Sequence, residues 1–598
     1  MNRSRVFLWG APLLICITQL PLFLQSTLTP DAVLYDLQAR CLLEGGVLYR
    51  DIVEPNLPGV VWVHAVVRRL AGPSSSALLG FDFAVVIGIA FFLCRLVCGT
   101  TQKREQSGLI EQTSQPCSRE TLVTCVFSSV LLFYFGTSEW CHGQRDTWML
   151  LPCLAAILIR STLCTELVPS KDSSISVIGA GRRGTTAWCI IEGMLWAAGF
   201  WLKPFVAFPA AAVLLASAAF MPARKFWFAQ IGAVIFGGLL VGCAGIAWME
   251  TSGCWPHFVD MLTTWNGDYF QSGRSRWSLD RFLSHATRFW PWILLHVPAT
   301  IISGKTFLPS KSNASSLASM TSDPALRLLQ AGYLGWIIQA FAFQQLFDYI
   351  HVPGMFLAMS LCLQAVFRMG PRPEHALEQW SPVTGFRKVL TSLALVVALA
   401  EASMSPAFAW NRQQHWASCV RACVGQPLAA EAKDEIALVP FPRWSELQPV
   451  VTHLKQLSVP DRSVLAYNGN LIHLYPQTDS HAPTRFVYVD VLARCFPRRR
   501  PEIQDSLDSS GIRYVISDLR EDGWEGSLTD HELLPLQISQ HSDSMFFPYN
   551  QKPVFRSGGY VLFEVVRTAG FLTSDYSPLA IRQNSQLTEK DVHGITRK

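Results

Sequence analysis

The chain has 598 residues, of which 50% are hydrophobic and only 16% charged, with a mean hydropathy of +0.25; this is too apolar and too weakly charged for an ordinary soluble protein. A net charge of +5 over this length, with no basic stripe interleaved with aromatics, argues against a nucleic-acid partner. The 16 cysteines are mostly scattered singly in apolar runs and form no CxxC pair, which argues against a zinc ribbon or a thioredoxin-like site.

Arg3 and Arg5 precede an apolar run from Val6 to Leu24 that lacks a small-residue cleavage site, so a retained first spanning helix is expected rather than a removed signal peptide. The stretch from Thr29 to Val61 follows directly and carries Asp31, Asp36, Glu44, Asp51 and Glu54. The spacing of Asp31, Tyr35, Ala39 and Leu42-Leu43 predicts a short amphipathic helix along the membrane surface, with Asp31 at its start and Gly45-Gly46 at its end. A Pro-punctuated loop through Tyr49-Arg50-Asp51 and Glu54-Pro55-Asn56-Leu57-Pro58 then returns acidic groups towards the bilayer. A solvated loop with idle carboxylates is the plain alternative.

Further spans are expected at roughly 77–98, 121–138, 147–164, 187–201, 204–220, 226–248, 288–303, 326–346, 352–368 and 386–408, about eleven helices with the first. With the N-terminus inside, one set of loops collects Lys103, Arg104, Lys171, Arg182, Arg183, Arg224, Lys225, Lys305, Lys311, Arg368 and Arg372, the positive-inside pattern. The loops 26–76, 139–146, 249–287 and 347–352 and the joint Lys203-Pro204 then face outside, as does the tail. From about 409 to 598 the long apolar runs stop. Short strands are expected at Ser463 to Tyr467, Arg485 to Val489, Arg513 to Ile516 and Tyr560 to Val566, and helices near 444–457 and 500–510. The expected fold is therefore an α-helical polytopic membrane domain over 1–408, with an outer catalytic loop at 26–76, and a small extracytoplasmic α/β domain over 409–598.

Polar clusters at helix ends share the face of the acidic stretch. The turn Ser138 to Asp146 packs Glu139, His142, Arg145 and Asp146 between two spans, where each charge needs a partner or water. Lys203 before Pro204 is either a snorkelling or an anion-binding lysine. His351 in Asp348-Tyr-Ile-His-Val-Pro353 either binds metal or phosphate or satisfies Asp348. The run Arg498-Arg499-Arg500 is read as a solvated charge run before a lipid or glycan contact. No GxxxxGK[ST] and no GxSxG occurs, and Gly179-Ala-Gly181-Arg-Arg-Gly184 lacks the βαβ context of a nucleotide site. A substrate borne by the membrane fits better than a soluble nucleotide.

The run from Asp31 to Tyr35, then Gly45-Gly46, Tyr49-Arg50-Asp51 and Glu54 to Pro58, resembles the first outer loop of GT-C glycosyltransferases, the polytopic enzymes related to protein mannosyltransferases and aminoarabinose transferases. His142 to Asp146, Leu202-Lys-Pro204 and Asp348 to Pro353 are similar to later outer-face motifs of the bacterial branch. Asp31-Ala32 stands where many relatives have an acidic pair, and Pro55-Asn56-Leu57-Pro58 where they have Lys-Pro-Pro, which moves phosphate binding to Lys203 or Arg145. The resemblance implies an inverting hexosyl- or pentosyltransferase of the inner membrane, moving a sugar from a polyprenyl-phosphate donor to an extracytoplasmic acceptor, with membrane lipid as the other partner. Asp31 would be the general base, Lys203, Arg145 and His351 would bind the donor phosphate, and Glu54, Asp51 and Glu139 would be supporting acids. Glu54 and Asp146 are candidates to hold a divalent cation. The alternative is a polytopic transporter or flippase for a lipid-linked glycan, which should carry ionisable groups at mid-membrane.

Overall fold

The computed structural model describes residues 9–99, 119–166, 181–221, 223–275, 278–280, 283, 289–307, 323–344, 347–368, 382–521, 547–549 and 551–565. Arg3, Arg5, Lys103, Arg104, Lys171, Lys311 and Arg372, which bear on the expected orientation, lie outside them, as do Gly179 and Val566. The chain is mostly helical with one small sheet near its C-terminus. It forms two compact units: Met1–Leu28 with Asn56–Thr251 and Arg276–Leu428, and Thr29–Pro55 with Ser252–Ser275 and Ala429–Lys598. The acidic stretch thus groups with the C-terminal residues, and 409–428 with the apolar helices, a division that does not follow the sequence boundary at 408.

In the first unit each expected span overlaps a helix among the described residues: α1 (Gly10–Leu24), α4 (Ser75–Cys98), α5 (Arg119–Gly136), α6 (Arg145–Glu166), α7 (Gly181–Leu202), α8 (Ala207–Ser217), α9 (Arg224–Thr251), α10 (His296–Phe307), α11 (Pro324–Ile338), α12 (Val352–Arg368) and α13 (Pro382–Met404). α2 (Pro30–Leu43) belongs to the second unit, and α3 (Gly59–Ala71) is a helix inside the region read as loop. Five described helices are long and apolar enough to cross a membrane: Ser75–Cys98, Arg119–Gly136, Arg145–Glu166, Arg224–Thr251 and Asp348–Phe367. The other stretches fold as helices that are shorter or more polar, so the count of about eleven stands as an expectation.

Helices α7 and α9 touch backbone to backbone. A Cβ at Gly193 would run into the Val234 carbonyl, and one at Gly237 into the Ile190 carbonyl, so only glycine permits this approach. The same pair encloses a charged cluster with α6. Arg160 bonds Glu192 at 2.6 Å and Gln230 at 2.6 Å, with both charged side chains fully buried. Removing either partner would leave the other charge stranded, so the cluster locks three helices in register.

The second unit is built on a four-stranded sheet of order β1-β2-β4-β3: β1 (Val464–Ala466), β2 (Tyr514–Asp518), β3 (Lys552–Ser557) and β4 (Tyr560–Glu564). β1 and β2 are parallel, whereas β4 runs antiparallel to both β2 and β3. Helix α14 (Trp444–Gln456) buries Leu447, Val450 and Leu454 and packs on β3 and β4. The expected strand Arg485 to Val489 contributes only a bridge from Tyr488 to Ala466. Its main-chain groups are taken elsewhere, because the Arg485 carbonyl accepts from Val53 N–H at 2.9 Å and Val489 N–H donates to Tyr467 at 3.0 Å. β3 was not legible, since Pro553 disguises it, yet proline is tolerated on an edge strand.

Candidate functional site

In the second unit the acidic stretch opens with a capped helix. The Thr29 hydroxyl accepts from Ala32 N–H at 3.2 Å and Pro30 occupies the first turn, so Asp31 stands at the positive end of α2. Asp31 is half-buried, but Ala32 to Ala39 are all buried. Eight consecutive buried residues leave no solvated stripe, so α2 is not the one-sided amphipathic helix expected. It packs on the turn Gly469–His473. Gly45 at φ 88 ends the helix region, and Asp51 then closes the next turn, accepting from Val47 N–H at 2.7 Å and from Arg50 at 2.7 Å and 2.9 Å. The Arg50 bond, against a smaller burial effect, holds the Asp51 carboxyl below the usual range. Asp51 is therefore a turn-holder.

Glu54 is buried at 6% exposure. It converges with Asp31 on Tyr488, whose hydroxyl is pushed far above the usual tyrosine range, first by burial and then by the charges of Glu54 and Asp31. Tyr488 thus stays protonated, with two carboxylates near enough to oppose its ionisation. Sequence reasoning missed it, although it lies within a stretch read as a strand. The Arg498 to Arg500 run is engaged rather than simply solvated: Arg498 pairs with Asp268 at 3.5 Å, Arg499 lies 5.0 Å over the Trp265 ring, and Arg500 bonds the Ala493 carbonyl at 3.0 Å.

In the first unit the turn between α5 and α6 is held by a residue the sequence reading passed over. Asp82 of α4, fully buried, accepts from Tyr134 Oη at 2.6 Å, Gly143 N–H at 2.9 Å and Trp148 Nε1 at 2.7 Å. These bonds fix the left-handed Gly143, at φ 66, and the first turn of α6. The available signal was a lone acid inside an apolar span. His142 is buried beside it, with Nε2 3.0 Å from the Tyr134 carbonyl and 3.2 Å from the Thr137 hydroxyl. Burial pushes its pKa down to about 4, against the Tyr134 carbonyl, so it is a neutral strut of the turn.

The same turn delivers Arg145 and Asp146 to the start of α6. Lys203 sits extended where Pro204 breaks the helix, and its Nζ bonds both Asp146 oxygens at 2.8 Å and 2.9 Å. Neither side chain is more than 7% exposed, so Lys203 is a buried ion-pair partner rather than a snorkelling lysine. Its ammonium also lies 5.6 Å from the Tyr349 ring. The short helix Glu139–Cys141 packs on Asp348–Ile350, immediately before His351. Arg145, Glu139 and His351 are buried at 7%, 3% and 3% exposure, and Glu139 acts on the buried Arg412.

Glu54 and Asp146, the candidate metal pair, belong to different units, and both Asp146 oxygens are engaged by Lys203. Among the described residues no group of three or more His, Cys, Asp or Glu side chains is arranged to hold a metal ion.

No family model and no curated protein matches the sequence. Among solved structures the chain is similar to the Archaeoglobus fulgidus oligosaccharyltransferase, both apo and tethered by a disulfide bond to an acceptor peptide with the NVT sequon. The TM-scores are 0.41 and 0.43 and the identities 11% and 10%, over 87% of this chain and 70% of that one. It is also similar to apo ArnT from Cupriavidus metallidurans, with a TM-score of 0.47 and 12% identity over 94% of this chain and 97% of that one. These structural neighbours are GT-C glycosyltransferases. With TM-scores below 0.5, neither likeness carries a residue's role over to this chain.

Proposed function

We propose that the protein is a membrane glycosyltransferase that moves a sugar from a polyprenyl-phosphate donor to an acceptor on the extracytoplasmic face of the inner membrane. The observation that carries the reading is an acid, Asp31, in the first turn of α2 directly after the first apolar helix of a chain with membrane-length helices, with the buried Glu54 acting electrostatically on the same Tyr488. In this reading Asp31 takes the proton of the acceptor hydroxyl as its oxygen bonds to the anomeric carbon. The bond from that carbon to the phosphate oxygen breaks with inversion, and the electron pair leaves with the polyprenyl phosphate. Tyr488 and Glu54 orient Asp31. Arg145 and Lys203, the latter steadied by Asp146, together with His351 offset the charge that grows on the leaving phosphate.

The test is purified protein in vesicles with a panel of labelled pentosyl and hexosyl polyprenyl phosphates and a membrane extract as acceptor source. Transfer of label with release of polyprenyl phosphate supports the reading; label that crosses the vesicle wall still attached to its lipid overturns it. The second outcome belongs to a flippase, a reading favoured by one observation, the Arg160 and Glu192 pair buried within the helices.

A further inference from the structure

From sequence the segment after the last apolar helix is expected to open the soluble C-terminal domain, whereas in the structure residues 409–428 group with the apolar helices. α13 ends at Met404, and the Ser405 hydroxyl bonds the Gly136 carbonyl at the end of α5 at 3.3 Å. The end of α1 is level with that point, because the rings of Phe23 and Phe135 meet at 5.4 Å. Eleven residues after Ser405, however, the Trp416 indole donates to the Ile17 carbonyl at 2.7 Å. Ile17 lies seven residues before the end of α1, about 10 Å back along its axis. Helix α15 (Trp416–Cys423) then climbs beside α1, and Gln25 reaches Cys423 at 3.6 Å. The chain has therefore turned back down the flank of the bundle.

We propose that residues 404–424 form a re-entrant wedge seated in the interfacial layer of the bilayer, with lipid as its partner. Ala407, Arg412 and Cys419 face the protein, whereas Met404, Trp410 and Val424 are 75%, 81% and 78% exposed. That outer face continues the apolar flank of α1, where Leu13 and Leu14 are each 61% exposed. A descent of about 10 Å matches the depth at which interfacial helices rest, and an outward tryptophan suits that layer. Backbone at such depth must satisfy itself. It does so through successive turns: Phe408 N–H to Ser405, Ala409 to Pro406, Arg412 to Ala409, Gln414 to Trp410, His415 to Arg412 and Cys419 to His415. Exposed Asn411 and Arg421 suit the headgroup level rather than the hydrocarbon centre.

The inference rests on the membrane location of α1. It is tested on the full-length protein in phosphatidylcholine vesicles, with photoreactive benzoylphenylalanine placed singly at Trp410, Val424, Leu14 or Arg462. Lipid adducts at Trp410 and Val424 comparable to those at Leu14, and none at the exposed, charged Arg462, are expected. Adducts at Leu14 with none at Trp410 and Val424 overturn the wedge; absence at Leu14 as well overturns the membrane location of α1 and the wedge with it.

Discussion

Replacing Lys203 with Met keeps the apolar stem and removes the ammonium. A snorkelling lysine would tolerate this, but the bond to Asp146 makes it costly. Asp146 is fully buried and both its oxygens face Lys203 Nζ within 2.9 Å, so Lys203→Met strands a carboxylate in a water-poor site. Breaking one side of such a pair costs about 3–5 kcal/mol, whereas replacing both sides with apolar groups is often neutral or stabilising. Asp146→Leu alone should therefore cost a similar amount, and the double variant Lys203→Met with Asp146→Leu should return to within about 1 kcal/mol of the parent. The assay is a double-mutant cycle by denaturant unfolding in detergent micelles, paired with sugar transfer in vesicles. The double variant should recover stability without recovering transfer, because it has lost the cation assigned to the donor phosphate. A Lys203→Met protein as stable as the parent would refute the pairing, and an active double variant would refute the role in donor binding.

Three further outcomes follow from the geometry. Gly237→Ala places a methyl against the Ile190 carbonyl and should cost about 1–3 kcal/mol in the same unfolding measurement, while Gly242→Ala, with open space around it, should be neutral or slightly stabilising; equal effects would mean that α7 and α9 are not in backbone contact. His142 and His473 are buried, with pKa values pushed down by burial to about 4 and about 3, so each binds a proton more readily unfolded than folded. Their contribution is complete above the ordinary value near 6.5 and is lost as pH falls towards those lowered values, at up to about 1.4 kcal/mol per pH unit for each group; the pH dependence of unfolding should weaken in His142→Asn, and an unchanged slope would count against a buried neutral histidine. Asp82→Leu leaves Tyr134, Gly143 and Trp148 without their shared acceptor, so transfer should fall with loss of order in the turn 138–146, read as increased proteolysis there.

What could be read in the sequence was what repeats along one helix or strand. The apolar runs fall on helices, the helix expected to start at Asp31 is α2, and β1, β2 and β4 lie where β-branched and aromatic residues cluster. α3 escaped because it is short and was absorbed into a region judged by its acids and prolines. The grouping of 29–55 with the C-terminal residues rests on bonds such as Val53 to Arg485 and Glu44 to His481, between positions hundreds of residues apart, and no local period encodes them. The same limit applied to charges. Lys203 and Asp146 were each singled out, but as a phosphate ligand and a metal ligand; only the fold reveals that they bind each other. Asp82, Arg160 and Glu192 were hidden by the apolar residues around them, although a charge inside a span is itself the sign of a paired partner.

The central claim, that Asp31 is the proton acceptor, is tested most directly by release of polyprenyl phosphate from a polyprenyl-phosphate sugar, comparing the parent with Asp31→Asn and Asp36→Asn in vesicles. Asp31→Asn preserves shape and should fold and insert normally, with turnover lowered by roughly a hundredfold or more. Asp36 is buried five residues on, about 140° around α2, and its amide variant should retain turnover if it folds. An active Asp31→Asn protein beside an inactive, correctly folded Asp36→Asn protein would contradict the account.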